Sequence, residues 1–144
     1  MGYTAAPDGW WQEFLSALPA HTAKLAVVRK DGSPHVAPIW IAVDGDEVVF
    51  TTSADTVKGK AILRDGRISL CVDDETPPFS FVTIAGTTTT STDPDELRHW
   101  ATRIAARYMG EEQAEAYGGR NAVPPEMVVR VAPTKVTAVV GVAD

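Results

Sequence analysis

Two Asp-Gly pairs, Asp31-Gly32 and Asp44-Gly45, each stand between runs rich in β-branched residues, and no other feature restricts the fold as much. Glycine reaches positive φ without steric cost and aspartate bonds its own turn, so such a pair between extended runs signals a hairpin. The runs are residues 24–29, 35–43 and 47–52, which predicts a three-stranded antiparallel meander. Strand character returns at 67–72, 79–90, 127–131 and 135–140.

Helical patterns interrupt these strands. After a loose start, Trp11, Phe14, Leu15 and Leu18 recur at helical spacing until Pro19 stops them. Residues 54–65 read as a short helix that Asp55 or Thr56 caps, with Val57 and Ala61 on one face and Gly66 closing it. Asp93-Pro94-Asp95-Glu96 supplies an N-cap, a proline at the first helical position and a glutamate three residues after the cap. The apolar face that follows is Leu97, Trp100, Ala101, Ile104 and Tyr108, and Gly110 ends it. A more polar helical stretch, 111–117, precedes Gly118-Gly119-Arg120-Asn121, read as a flexible loop. This order does not alternate as a βαβ fold must. The expectation is one domain, 1–144, mainly β with flanking helices, its antiparallel sheet rolled into a small closed or split barrel that removes exposed edges. A leftover sheet face suits dimerisation.

Several function classes fall away. Thirteen Lys and Arg face 19 Asp and Glu for a net charge of -6, which argues against a nucleic-acid partner. Cys71 lies in an apolar run and reads as a small buried hydrophobe. The first twenty residues carry Asp8 and Glu13 and no long apolar stretch, so neither a secretory signal nor a membrane span is expected, and a cytoplasmic location is. His21, His35 and His99 lack zinc spacing, and no nucleophile elbow, Walker loop or dinucleotide fingerprint is present. Asp73-Asp74-Glu75 before Pro77-Pro78 reads as a solvated turn.

Two segments suggest chemistry. In 51–60 a strand ends, a hydroxyl-rich bend follows, and a helix opens with Lys58 and Lys60 in its first turn or so. A helix N-terminus carries unpaired N–H groups and partial positive charge, so lysines there are misplaced unless an anion sits between them. A phosphate would draw on the backbone donors, the hydroxyls of Ser53 and Thr56, and the charge of Lys58 and Lys60. Two solvated surface lysines are the plainer alternative. Gly59 permits close approach of another backbone or a ligand. In the second segment, 36–41, Pro38 cannot donate to a ladder and marks an edge or bulge where a planar ligand could dock, with Trp40 as a wall or as ordinary core.

Taken in order, 25–40, Asp44-Gly45-Asp46, Phe50-Thr51-Thr52, Lys58-Gly59-Lys60 and 64–70 resemble the flavin and deazaflavin oxidoreductases of the split β-barrel superfamily, related to pyridoxine-phosphate oxidase. The resemblance implies an FMN-binding split barrel that is homodimeric, with two cofactor sites at the interface. It implies a phosphate held by Thr56, Lys58 and Lys60 with Thr52 and Ser53 nearby, and a ring along Val36, Pro38, Ile39 and Trp40. Phe79 and Phe81 of the opposite subunit would line the substrate side, and Arg120 would reach a cofactor tail. Pyridoxine-phosphate oxidases carry Arg and Lys along that second strand, whereas 36–43 here has no basic residue. The apolar version resembles the users of F420, a deazaflavin with a phosphate-linked acidic tail. The expected activity is hydride transfer from reduced F420 to an activated C=C bond of a small apolar substrate, with no side chain named as catalytic acid and no metal. The alternatives are an FMN-dependent oxidoreductase and a non-catalytic flavin- or haem-binding module.

Overall fold

The computed structural model describes residues 4–143. In chain order the elements are β1 (Thr4–Ala5), α1 (Trp10–Ser16), β2 (Ala23–Val28), β3 (Pro34–Ile39), β4 (Ala42–Asp44), β5 (Glu47–Ser53), α2 (Val57–Arg64), β6 (Arg67–Asp73), β7 (Phe81–Ser91), α3 (Pro94–Met109), α4 (Glu111–Asn121) and β8 (Glu126–Val140). Eight strands form one antiparallel sheet in the order β3-β2-β6-β7-β8-β5-β4, with β1 on β8.

Both Asp-Gly turns form, with Gly32 and Gly45 at φ 88 and 61. The expected meander, however, is not one. The strand read as 35–43 breaks at Trp40 and Ile41, and its halves stand at the two ends of the sheet, β3 paired with β2 and β4 with β5. Three peptide units separate Ile39 from Ala42, no more than about 11 Å. The sheet therefore curls until its ends nearly meet, a mainly-β split barrel with the seam at residues 40–41.

Inside the barrel lie Leu25, Val27, Ile41, Phe50, Leu70, Val82, Ile84 and Val129, all under 5% exposed. A second, smaller core lies outside it, where Leu97, Trp100 and Ile104 of α3 cover Ala42, Val49 and Val128. Strands β5 and β8 are thus buried on both faces beneath α3, which is why Val48-Val49-Phe50 and Met127-Val128-Val129 are unbroken apolar runs while β2 and β6 alternate. The α3 cap forms as expected: the Asp93 carboxylate accepts from the Glu96 N–H at 2.9 Å. Arg130 ties the layers together, pairing with Asp44, Glu47 and Glu96 at 2.8, 3.4 and 3.2 Å over the Trp100 ring.

Other expectations need correction. Helix α1 ends at Ser16 with Leu18 70% exposed, because proline forces the residue before it out of the helical region. On α2 the buried face is Gly59, Ala61 and Ile62, and Val57 is exposed. The two last strands are one, β8, which absorbs Pro133 at a bulge opposite Ala85 and Gly86. Residues 118–121 are helical, since the glycines let α4 press against α3: a Cβ on Gly118 would stand 2.8 Å from Thr102 Cα. Phe79 precedes β7, at φ 65 in the loop before it. No helix of the described residues is long and apolar enough to cross a membrane.

Candidate functional site

The end of β5, the bend after it and the first turn of α2 form one hydrogen-bonded unit. Thr56 is the N-cap; its Oγ1 accepts from the Gly59 N–H at 3.0 Å and donates to the Ser53 carbonyl at 2.8 Å. That spends its proton, so in the 3.2 Å contact between the Thr52 and Thr56 hydroxyls Thr52 is the donor. Thr52 is 4% exposed. These two hydroxyls therefore shape the bend and have no proton left for an anion. The donors that remain are the Ser53 hydroxyl, which accepts from the Asp55 N–H, the N–H groups of Val57 and Lys58, which no helical carbonyl can reach, and the Lys58 ammonium. Hydroxyl, helix N-terminus and ammonium together fit a phosphate monoester or diester.

Gly59 makes the bend possible. A Cβ there would overlap the Ser53 carbonyl oxygen and stand 3.0 Å from its carbon and 3.1 Å from Ala54 Cα. Lys58 and Lys60 do not converge: two residues apart on a helix they diverge by about 200°, with Lys58 half-buried and Lys60 exposed. Sequence reading missed Glu126. It pairs with Ser53 across β5 and β8, and burial pushes its carboxyl above the ordinary range while nearby Lys58 pulls it down. The Pro125 carbonyl accepts from the Ala54 N–H at 3.0 Å, which brings the end of α4, with exposed Arg120 over the Tyr117 ring, down towards the bend.

On β3, Val36, Pro38 and then Trp40 alternate outward, exposed, while Ile39 is in the core at 5% exposure and offers only its backbone to a ligand. Trp40 is held flat. Its ring stacks on Tyr108 with centroids 5.0 Å apart and planes within 2°. The Tyr108 hydroxyl donates to the His21 carbonyl at 2.7 Å and accepts from the Ile41 N–H at 3.2 Å, while Arg107 donates to the carbonyls of Ile41 and Leu15. At the seam Ile41 has no ladder partner, so α3 satisfies both of its backbone groups. Phe79, in the loop before β7, and Phe81, the first residue of β7, line a cavity of about 650 Å³ with Lys24 and Cys71.

A family model described as pyridoxamine 5'-phosphate oxidase matches residues 11–140. The chain belongs to the pyridoxamine 5'-phosphate oxidase family. As a class its members are flavin-binding oxidoreductases with the split-barrel fold. Similar solved structures include a conserved hypothetical protein of Mycobacterium tuberculosis, 22% identical with a TM-score of 0.82 over 96% of this chain and 88% of that one. An F420 reductase is 25% identical, TM-score 0.67, over 91% of this chain and 98% of that one. An FAD-binding protein from Mesorhizobium loti is 18% identical, TM-score 0.68, over 96% and 97%. No curated protein sequence matches. The surface-facing residues Val36 and Pro38 of β3 and Trp40 just after it carry no charge, and the nearest cation on that face by register is Lys24 of β2, opposite Pro38.

Proposed function

We propose that this protein is an F420-dependent reductase that passes a hydride from the reduced cofactor to an activated C=C bond of a small apolar substrate. The observation that carries the reading is the pairing of an anion-binding donor set at the β5–α2 bend with an apolar strip at Val36, Pro38 and Trp40 that holds no cation of its own. The similarity to an F420 reductase over nearly all of that chain supports it. The deazaflavin supplies the hydride when bound; the protein grips and orients it. Ser53, the first N–H groups of α2 and Lys58 hold the phosphate, Lys60 adds long-range charge, and Arg120 meets the acidic tail. Pro38 and the stacked Trp40 give the ring a dry, rigid face. The working unit is a homodimer: Val28, Val36 and Leu63, 53%, 65% and 55% exposed on β2, β3 and α2, are apolar ground for a second copy.

The test is a titration of FMN and F420 side by side into protein from a host that makes no deazaflavin. The expected protein is colourless, quenches F420 fluorescence, binds FMN at least about tenfold more weakly, and oxidises reduced F420 when given an enone or quinone. Yellow protein with tightly held FMN would make it an FMN oxidoreductase. Binding without oxidation of reduced F420 would make it a non-catalytic cofactor-binding module.

A further inference from the structure

The register of the sheet ties the Phe79–Phe81 cavity to the strip on β3. Lys24 of β2 stands directly opposite Pro38 on one side and Cys71 on the other, and Cys71 stands opposite Thr83. Directly opposed residues share a face, so Pro38, Lys24, Cys71 and Thr83 form one row across the outside of four strands. Phe81 lies on β7, opposite Asp73, one step further along that face and three strand spacings from β3, about 14 Å. A cofactor ring against Pro38 therefore borders this cavity within one chain.

The cavity has the make-up of a ligand pocket. Its volume of about 650 Å³ holds a small organic molecule. Its walls are the rings of Phe79 and Phe81 with Val142, and the neutral Cys71 thiol, which burial holds protonated. Phe79 is unusual: an aromatic residue in the left-handed region, at φ 65, is strained, yet the residue is left 41% exposed. The loop is held in that shape from both sides, by Phe79 N–H to the Thr76 carbonyl, Asp74 N–H to the Ser80 carbonyl and Ala143 N–H to the Pro78 carbonyl, at 2.9, 2.9 and 3.0 Å. At the floor, Lys24 Nζ donates to Asp73 at 3.0 Å and to the Thr22 carbonyl at 3.4 Å. An ammonium has three N–H donors, so one remains. Asp74, Glu75 and Ser80 complete the lining, which with Asp73 sets three carboxylates against one ammonium.

We propose that this cavity binds the hydride acceptor as a neutral, flat, apolar molecule whose carbonyl-type oxygen accepts the third hydrogen bond of Lys24, and that its acidic rim turns away anionic acceptors. Its place as the acceptor site rests on the reading that the cofactor ring lies against Pro38; binding itself does not. The experiment is therefore a titration of cofactor-free protein, labelled with nitrogen-15, with coumarin, coumarin-3-carboxylate and naphthalene, followed by amide chemical shifts. Coumarin is expected to move the amides of Lys24, Cys71 and Phe81, to bind at least about fivefold more tightly than its carboxylate, and to bind more tightly than naphthalene, which has no acceptor oxygen. Lys24→Met is expected to weaken coumarin about tenfold, the scale of one hydrogen bond from a charged donor, and Lys24→Arg to restore most of it. Because Lys24→Met also leaves Asp73 unpaired, the double change Lys24→Met with Asp73→Asn is the second variant and is expected to match the single one in coumarin affinity. Shifts confined to other parts of the protein, equal affinity for coumarin and its carboxylate, or coumarin binding unchanged in both variants would overturn the proposal. A failure here shows without cofactor, whereas a failure of the reductase reading shows in the FMN and F420 titration.

Discussion

Gly59→Ala separates a glycine that is merely helical from one on which the site is built. At an open helix position the change gains about 1 kcal/mol, because alanine loses less backbone entropy on folding. Here the added Cβ overlaps the Ser53 carbonyl oxygen and lies 3.0 and 3.1 Å from Ser53 C and Ala54 Cα. Carbon pairs rest at about 3.5–4.0 Å, and the oxygen overlap is the larger of the misfits, so the bend must retreat from α2 by about 1 Å. All three atoms are backbone, so no rotamer change relieves the overlap. The Ser53 oxygen also accepts from the Thr56 N–H and hydroxyl, at 3.3 and 2.8 Å, and retreat strains both bonds. Overpacking of this kind costs about 1–3 kcal/mol, and each weakened hydrogen bond about 1 kcal/mol. Against the helical gain, the net expectation is a loss of about 2–4 kcal/mol in equilibrium urea unfolding, read as a lower midpoint at unchanged slope. Phosphate-bearing cofactor should bind more weakly as well, since the first N–H groups of α2 move with the bend. A variant as stable as the parent, or about 1 kcal/mol more stable, with unaltered cofactor affinity would refute the close-approach reasoning.

Tyr108→Phe keeps the ring against Trp40 but leaves the His21 carbonyl and the fully buried Ile41 N–H without their partner; the expected cost is about 1–3 kcal/mol in urea unfolding, and an unchanged midpoint would show that the hydroxyl does not secure the seam. Glu126 has its carboxyl pKa raised by burial, so the fold favours its protonated form: that stabilisation is complete below the unfolded-state pKa and is lost as pH rises through the folded one. Glu126→Gln is expected to flatten this decline in a stability–pH profile. It is also expected to tighten binding of a phosphate-bearing cofactor at neutral pH about fivefold, on the order of 1 kcal/mol for a solvent-screened charge; an affinity that falls would place the carboxylate among the groups that hold the cofactor.

What the sequence discloses and what it conceals divides by range. The Asp-Gly turns and the Asp93 cap depend on residues at most a few positions apart, and both are readable. The Thr56 cap is local too, but two hydroxyls that look like anion ligands are already committed to shaping the bend, which only their bonding pattern reveals. The break at Trp40-Ile41 comes from barrel closure and from Arg107 and Tyr108, more than sixty residues away in the chain. Glycines 118 and 119 read as a loop because glycine lowers helix propensity, yet the close approach of Thr102 on α3 needs the small size of Gly118. Glu126 and Lys24 carry no motif at all; strand register alone brings one to Ser53 and the other to Pro38.

The proposed function depends most on an anion of the cofactor being held at the β5–α2 bend, and Lys58→Ala tests that directly. F420 titrated into parent and variant, followed by its fluorescence, is expected to bind the variant about 10- to 150-fold more weakly, the effect of losing one charge-assisted hydrogen bond of about 1.5–3 kcal/mol. Urea unfolding of the same variant is expected to stay within about 1 kcal/mol of the parent, the scale of losing a solvent-screened charge contact with Glu126. Equal affinity for F420 in a variant that remains folded would contradict the claim and move the cofactor away from this bend.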